Sequence, residues 1–167
     1  MESSIRQLEG MVIPHASLVE EKLRIYLVNR QHRFVLKNFY IDRWECDVFS
    51  STGSGLTNEF EVKRTVADYK NDFKKHDGEQ KKHQLIETGQ RTNKFWYILP
   101  ENIQVEVPKY AGIFWYAFDG ETVLHVRKIR EAKMLHKRRL KDDNKLMYNI
   151  ALKCYYRMPR EGASVSV

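Results

Sequence analysis

The sequence predicts an α/β fold in which a single mixed β-sheet is flanked by helices. Segments with the apolar period of a helix alternate along the chain with short strand-like segments, an order typical of one mixed sheet with helices packed on it. The apolar run at residues 95–99 suits a strand that is buried on both faces. A length of 167 residues and a hydrophobic fraction of 42% fit one domain, residues 1–167, with its own core.

The first half of the chain predicts a helix followed by three strands and a second helix. The first helix begins at a capping box, with Ser17 as the N-cap and Glu20 at the third helical position, and runs to about Asn29. A second capping-box-like pair, Thr65 and Asp68, predicts the short second helix. The strands between the two helices are expected at residues 34–40, 44–50 and 57–63.

The second half predicts three further strands and a helical end. Residues 74–92 are polar and predict an exposed basic loop or arm. Residues 128–157 predict a helical C-terminal extension with a break near 142–144. The turn pair Asp119-Gly120 predicts a hairpin between the last two strands. The three strands are expected at residues 94–99, 112–118 and 122–126.

Charge and composition restrict the partners. A net charge of +7 and a pI of about 9.4 favour an anionic partner such as DNA. A membrane partner is not expected, because no apolar run reaches the roughly 20 residues of a membrane-spanning helix. The first residues lack the basic-then-apolar pattern of a secretion signal. Cys46 and Cys154 match no metal-binding spacing and are expected to be reduced thiols of a cytoplasmic protein. A homodimer stays compatible with the sequence.

The most informative pattern is a predicted hairpin that places carboxylates and an ammonium group on one face of the sheet. Side chains alternate between the faces of a strand, so Glu59, Glu61 and Lys63 share one face. The turn-rich run 50–55 joins the two strands and allows two pairings, with Asp47 opposite either Glu61 or Lys63. The residues expected to face the core are Cys46, Val48, Phe60 and Val62.

The convergence of Asp47, Glu61 and Lys63 would suit a divalent metal site. Clustered carboxylates repel each other unless a cation or a shared proton relieves the repulsion. Mg²⁺ prefers oxygen ligands, often one or two carboxylates together with waters and a substrate phosphate. Lys63 could orient the attacking water or neutralise charge that develops at phosphorus. The alternative is a half-exposed hairpin whose charged face is merely solvated.

Asp47 on the second strand and Glu61-Val62-Lys63 on the third resemble the motif of the PD-(D/E)XK nuclease superfamily, although no proline precedes Asp47. Longer blocks resemble the branch of MmcB-like DNA repair proteins and small phage proteins, and the resemblance spans roughly residues 17–140. These blocks are residues 61–73, 93–100, 107–112 and 132–137.

The resemblance implies a restriction-endonuclease-like core of helix, three strands, helix and strand. It implies a metal-dependent DNA nuclease that hydrolyses phosphodiester bonds in DNA repair, recombination or phage DNA processing, with Mg²⁺ or Mn²⁺ as cofactor. In this interpretation Asp47 and Glu61 are metal ligands, the carbonyl of Val62 is a further ligand, and Lys63 is the catalytic base or a charge stabiliser. The alternative is a non-catalytic nucleic-acid-binding protein on the same fold.

Two further acidic residues have competing interpretations. The superfamily often has an acidic residue on its first helix that completes the metal site, and Glu20 is the better candidate because Glu21 points away from the apolar stripe. A helix-capping role explains Glu20 equally well. Asp68 is expected to be a cap partner of Thr65 rather than a ligand.

Two basic clusters are candidates for contacts with the DNA backbone, since Lys and Arg bind phosphates without reading sequence. His76 and His83 are expected at the surface, and Trp96 and Trp115 in the core. The preferred cluster, which follows the motif directly, comprises Lys70, Lys74, Lys75, Lys81 and Lys82. The second cluster comprises Lys133, Lys137, Arg138, Arg139 and Lys141. Solvated helix faces are the alternative for both.

Overall fold

The computed structural model describes residues 14–74, 76–77, 80–120 and 122–157, and its centre is one six-stranded mixed sheet. The helices are α1 (Ala16–Asn29), α2 (Val66–Asp72), α3 (Lys82–Glu87) and α4 (Asn144–Arg157). The strands are β1 (Arg33–Ile41), β2 (Trp44–Ser51), β3 (Thr57–Val62), β4 (His76–Asp77), β5 (Gln80–Lys81), β6 (Lys94–Pro100), β7 (Gly112–Phe118) and β8 (Val123–Arg130). The predicted fold class, an α/β fold with one mixed sheet flanked by helices, is confirmed.

The large sheet has the strand order β1-β2-β3-β6-β7-β8, and the short strands β4 and β5 pair separately. Strands β1, β2 and β3 form an antiparallel meander, whereas β6 runs parallel to β3 and β7 runs parallel to β6. Strand β8 returns antiparallel to β7 through the predicted hairpin. Because β6 lies in the middle of the sheet, its residues 95–100 are all buried, as predicted for an apolar central strand.

The register of the β2–β3 hairpin follows the first of the two predicted pairings. Val48 pairs with Phe60 and Ser51 with Thr57, which continues to Asp47 opposite Glu61. Beyond the Val48–Phe60 pair, the carboxylate of Asp47 accepts the N–H of Val62 at 2.6 Å. Where the β2–β3 ladder ends, the N–H of Val62 therefore bonds to the Asp47 carboxylate rather than to a backbone carbonyl of β2.

The two faces of the sheet have separate cores. Helix α1 packs Val19, Leu23 and Leu27 on one face, against a cluster that includes Phe60 and Trp96. The other face is covered by α2, α3 and the 103–111 loop, with the buried residues Tyr69, Ile86, Phe95, Tyr97, Leu99, Val107, Tyr110 and Ala111. The charged face of β3 thus lies beneath α2 and α3 and is closed off from water.

Helix α4 covers the β1 end of the sheet. Its residues Leu146 and Ile150 belong to a third apolar cluster, together with Phe39 of β1 and Phe49 of β2. Near its end, Lys153 Nζ donates to the carbonyl of Asn38 at 2.7 Å, and Arg157 Nη2 donates to the carbonyl of Lys37 at 2.9 Å. The last described helix therefore binds the backbone of an edge strand.

The N-cap predicted for α2 is confirmed, whereas the N-cap predicted for α1 is wrong. The N-cap of α1 is His15, whose side chain accepts the N–H of Ser17, so the predicted capping box at Ser17 is wrong. The N-cap of α2 is Thr65, whose hydroxyl accepts the N–H of Asp68 at 3.0 Å, as predicted. Asp68 in turn accepts the N–H of Arg64 at 3.1 Å, which is the expected capping role.

Two segments differ from the predicted structure. The predicted exposed arm at 74–92 contains β4, β5 and the helix α3, which packs Lys82 and Ile86 inward. The predicted helix from residue 128 is wrong in its first part, because β8 continues to Arg130 and residues 131–139 are extended. Backbone bonds to distant strands and loops, such as Leu135 N–H to the carbonyl of Asn93 at 2.9 Å, stabilise the extended form against local helix propensity.

None of the helices in the described ranges combines the length and the apolar character needed to cross a membrane.

The close packing of β6 against β7 gives a stability prediction. A Cβ atom at Gly112 would overlap the Trp96 ring and lie 2.8 Å from the backbone nitrogen of Ala132. We expect Gly112→Ala to lower the free energy of unfolding by about 3 kcal/mol, the upper range for overpacking a core. Gly53→Ala is the matched control because a Cβ there would contact nothing within 4 Å. Urea denaturation of both variants provides the measurement, and equal midpoints would contradict this packing.

Candidate active site

The hairpin β2–β3 brings Asp47, Glu61 and Lys63 to one site. Lys63 Nζ donates to Glu61 Oε2 at 2.9 Å. Asp47 Oδ2 accepts the N–H of Val62, the residue between them, at 2.6 Å. Strand alternation and the hairpin register together produce this convergence, as the sequence predicted.

The charged face of β3 is buried. Glu59 is 0% exposed, Glu61 1% and Lys63 4%. The alternative of a half-exposed, solvated hairpin face is therefore wrong. Charges removed from water need partners of opposite sign, and the structure supplies them from other elements.

Three carboxylates and three cations form what we call the buried ionic cluster. Its members are Glu59, Glu61, Asp72, Lys63, Lys82 and Arg91. Glu61 is held between two ammonium groups, since its Oε2 accepts from Lys63 and its Oε1 accepts a very short bond from Lys82. Lys82 Nζ also lies 3.6 Å from Asp72 Oδ1 and 3.8 Å from Glu59 Oε1. The charges of the six groups balance.

Arg91 is the cation of the buried ionic cluster that pairs with Glu59, near the start of β3. Its Nε and Nη2 donate to the two oxygens of Glu59 at 3.0 and 2.8 Å, a bidentate arrangement. Its Nη1 donates to the carbonyl of Ile41 at 2.7 Å. Arg91 therefore connects β3 to the end of β1 while neutralising Glu59.

Asp72 connects Lys63 to a group of aromatic and imidazole side chains. Its Oδ1 accepts from Lys63 Nζ at 3.1 Å, and its Oδ2 accepts from the Tyr97 hydroxyl at 2.9 Å. His83 Nε2 lies 2.7 Å from Asp72 Oδ2, and His83 Nδ1 lies 2.8 Å from the Tyr110 hydroxyl. His83 is thus a half-buried part of the site, and its predicted surface position is wrong.

Asp47 differs from Lys63 and Lys82 in its charge state at neutral pH. Burial and the nearby charge of Glu61 raise the pKa of Asp47 to about 7, despite the hydrogen bond from Val62. Burial alone would lower the pKa of Lys63, but Glu61 and Asp72 hold it above its usual range. Glu61, Glu59 and Asp72 likewise keep the pKa of Lys82 raised against the effect of burial. Both lysines are therefore ammonium ions at neutral pH, whereas Asp47 is only partly ionised.

Glu20 lies on the inner side of α1, as predicted, and is 7% exposed. Its carboxylate is 3.5 Å from Lys37 Nζ, and its charge is among those that raise the pKa of Asp47. Glu21 instead pairs with Arg24 at the surface, at 2.6 Å. Because Ser17 is not the N-cap, the capping explanation for Glu20 no longer applies.

The donor chemistry of the site fits a hard divalent ion, but several oxygens already have cationic partners. Asp47 is the exception, since its hydrogen bond from Val62 uses one carboxylate oxygen and no cation of the described residues forms a salt bridge with it. In the described part of the chain, no group of three or more His, Cys, Asp or Glu side chains is arranged to hold a metal ion. Entry of an ion beside Glu61 would require Lys63 or Lys82 to give way.

The predicted face assignment of Cys46 is wrong. Cys46 packs with Phe39 and Phe49, and burial together with the charge of Glu59 raises the pKa of its thiol. Val48, expected on the same face, belongs to the α1 cluster instead. The ladder pairs on either side of Asn38 are regular, but Asn38 has a φ of 51°, and this left-handed residue interrupts the strict alternation of faces.

The basic cluster predicted to bind DNA is only partly exposed. Lys70, Lys74 and Lys81 are exposed, whereas Lys82 is fully buried in the ionic cluster, so its predicted place on a DNA-binding surface is wrong. Lys75 and the side chain of His76 lie outside the described residues. The two tryptophans pack as predicted: Trp96 is buried, and Trp115 packs at the edge of the α2–α3 cluster.

Sequence reasoning missed Asp72, Arg91 and Tyr97, and it misplaced Lys82. Asp72 lies one turn after Tyr69 on the inner face of α2, and a carboxylate within an apolar stripe is a signal for buried pairing. Lys82 and Arg91 lie 21 and 32 residues after the carboxylates they bind, and no local period identifies such pairs.

The raised pKa of Asp47 gives a pH-dependent prediction. The folded state keeps a proton on Asp47 that the unfolded chain, with a pKa near 3.8, loses. The free energy of unfolding should therefore fall as pH rises from about 4 to about 7. We expect Asp47→Asn to remove this loss and to be more stable than the wild type at pH 8 by about 2 kcal/mol.

Urea denaturation at pH 4.5, 6 and 8 measures the difference between wild type and variant. Asp142→Asn, at an exposed aspartate, is the matched control. A difference that does not grow with pH would show that Asp47 ionises in its ordinary range.

Comparison with known proteins places the fold and leaves the activity open. No protein-family model matches the sequence, and a search of curated proteins found no match. A solved structure, the SPO1766 protein of unknown function from Silicibacter pomeroyi, superimposes with a TM-score of 0.63 at 17% sequence identity. The similarity covers 84% of this chain and 85% of that chain, so the two share the architecture across most of their length.

Proposed function

We propose that this protein is a Mg²⁺- or Mn²⁺-dependent DNA nuclease. The observation that carries the proposal is the β2–β3 hairpin, in which Asp47 Oδ2 accepts the N–H of Val62 at 2.6 Å, next to Glu61, and Lys63 is bonded to Glu61. The element order of helix, three strands, helix and a parallel strand agrees with the core expected from the resemblance to PD-(D/E)XK nucleases. The net charge of +7 agrees with a polyanionic substrate.

In this proposal the ion is held by Asp47, Glu61, the carbonyl of Val62 and Glu20. When bound, it would polarise a phosphoryl oxygen and supply a water of lowered pKa. Among the described residues, no cation forms a salt bridge with Asp47. Burial first, and then the charge of Glu61, raise the pKa of Asp47, and a divalent ion would offset both effects.

Lys63 is assigned charge stabilisation rather than proton abstraction. Glu61 and Asp72 hold its pKa above the usual range, so at neutral pH it carries a proton and cannot act as a base. Its ammonium group can instead donate to oxygens on which charge develops during cleavage. Asp72 is a positioning residue, since it fixes Lys63 Nζ from the side opposite Glu61.

A second candidate function is nucleic-acid binding without cleavage. The observation that favours it is the occupation of both Glu61 oxygens by ammonium groups, which neutralises a required ligand within the protein. Both candidate functions involve DNA. They differ in whether a metal ion replaces Lys82 as the partner of the Glu61 carboxylate. In both, we propose a cytoplasmic location, with which the two free cysteines agree.

The nuclease assignment predicts a defined loss of activity. Incubation with linear, branched and single-stranded DNA in Mg²⁺, Mn²⁺ or EDTA should give cleavage only with metal. We expect Lys63→Ala and Glu61→Ala to reduce the cleavage rate at least about a hundredfold, because both act on charge in the transition state. DNA affinity should persist, since it comes mainly from the basic surface.

Lys109→Ala, at an exposed lysine away from the site, is the control and should cleave normally. Thermal melting separates loss of function from unfolding, because Glu61→Ala removes a carboxylate that Lys63 and Lys82 share and leaves three buried cations against two carboxylates. Activity near wild type in Lys63→Ala would mean that cleavage arises elsewhere. DNA binding without cleavage by the wild type would favour the second candidate.

The DNA-binding surface is proposed on the outer side of α2 and the start of α3. Lys70, Lys74 and Lys81 are exposed there, and the inner side of the same helix α2 carries Asp72, which touches Lys63. These lysines therefore lie on elements that build the site itself. The competing surface lies on the segment between β8 and α4, with Lys133, Lys137, Arg138, Arg139 and Lys141.

Salt dependence distinguishes the two surfaces. We expect the triple variant Lys70→Gln, Lys74→Gln, Lys81→Gln to lower DNA affinity and to flatten the log–log salt slope by about 0.9 per lost phosphate contact. The matched triple variant at Lys137, Arg138 and Arg139 should change both quantities less. Fluorescence anisotropy with duplex DNA at several salt concentrations provides the measurement. The opposite ranking would transfer the binding surface to the segment between β8 and α4.

A further inference from the structure

A cavity of about 110 Å³ lies on the α1 face of the sheet, the face opposite the buried ionic cluster. Four aromatic side chains line it, namely Tyr26, Phe60, Trp96 and Phe114. The Phe60 and Trp96 rings are nearly parallel, with centroids 6.0 Å apart and an interplanar angle of 13°. An apolar cavity of about 150 Å³ in another protein takes up a benzene ring, so this space is of the size of one six-membered ring.

Cationic side chains line the solvent side of the cavity. Arg30, Lys94 and Lys128 contribute three positive charges, and Glu131 is the one carboxylate of the lining. Glu131 pairs with both lysines, at 2.5 Å from Lys94 and 2.7 Å from Lys128. Three cations against one carboxylate leave an excess of positive charge at the opening.

Arg30 is the cation best placed to receive a ligand anion. Its guanidinium lies 4.5 Å from the centroid of the Tyr26 ring, and no carboxylate of the described residues forms a salt bridge with it. His32 also lines the cavity, and burial together with the charges of Lys94 and Arg30 lowers its pKa.

Asn58 also lines the cavity. Its Oδ1 accepts from Trp96 Nε1 at 3.1 Å, which fixes the orientation of the amide and holds the Trp96 ring in the cavity wall.

We propose that this cavity is a binding site for a small anion that carries one six-membered ring. The ring lies among the four aromatic side chains, and the anionic group pairs with Arg30. A pyrimidine nucleotide and an aromatic carboxylic acid share this chemistry. The site lies on the sheet face opposite Glu61 and Lys63, so the inference does not depend on the nuclease assignment.

Isothermal titration calorimetry of the full chain tests the proposal with three probes: thymidine 5′-monophosphate, benzoate and inorganic phosphate. We expect at least one ringed anion to bind about tenfold or more tightly than phosphate, because the ring leaves water on binding. Binding of the nucleotide alone identifies a pyrimidine nucleotide, binding of benzoate alone identifies an aromatic acid, and either result supports the site.

Two variants locate the binding. Arg30→Gln should weaken the ringed anion about fivefold through the lost ion pair, without lowering the melting temperature, because Arg30 is exposed. Arg127→Gln is the matched control, since Arg127 is exposed and points away from the cavity on β8, next to Lys128. The proposal is overturned if no ringed anion binds, if phosphate binds as tightly, or if both variants weaken binding equally.

Discussion

The structure depends on the neutralisation of charges that lie inside it. Strand β3 carries Glu59 and Glu61 on a face that helices cover completely, so neither carboxylate can rely on water. Such groups are tolerated only when cations and further hydrogen bonds surround them. The chain meets this requirement with one cation just after β3, one from α3 and one from the segment before β6. These are Lys63, Lys82 and Arg91.

This requirement also determines how the helices are placed. Helix α2 is only seven residues long, and α3 six, so neither is stable by propensity alone. Each contributes an apolar anchor and an ionic partner to the same site: Tyr69 and Asp72 from α2, Ile86 and Lys82 from α3. On the opposite face α1 packs mainly by aliphatic and aromatic contacts, and its buried Glu20 pairs with Lys37. The sheet thus has one face specified mainly by apolar packing and one specified mainly by charge pairing.

The sequence predicted correctly those features that depend on residues close together in the chain. The strands, the β2–β3 register, the Thr65 cap and the inner position of Glu20 all follow from period, turn chemistry or side-chain alternation. The predictions were wrong where the structure depends on contacts between residues far apart in the sequence. The sequence places Lys82 in a run of basic residues. Its partner in the buried ionic cluster, Glu61, lies 21 residues earlier, so the local sequence does not show the pairing. Cys46 and Val48 lie in different apolar clusters, where the alternation of faces is interrupted beside the left-handed Asn38. Residues 131–139 are not helical, and their backbone groups bond to distant residues.

The contact between α4 and β1 has a consequence for self-association. An edge strand presents unpaired backbone groups to which another chain can add a strand. Here Lys153 and Arg157 already bind the carbonyls of Asn38 and Lys37, and the left-handed residues Phe34 and Asn38 bend the strand away from a regular template. Growth of a continuous sheet across two molecules at β1 would first require α4 to leave. The hydrogen bonds from α4 therefore compete with the backbone of any second strand that could add to this part of β1.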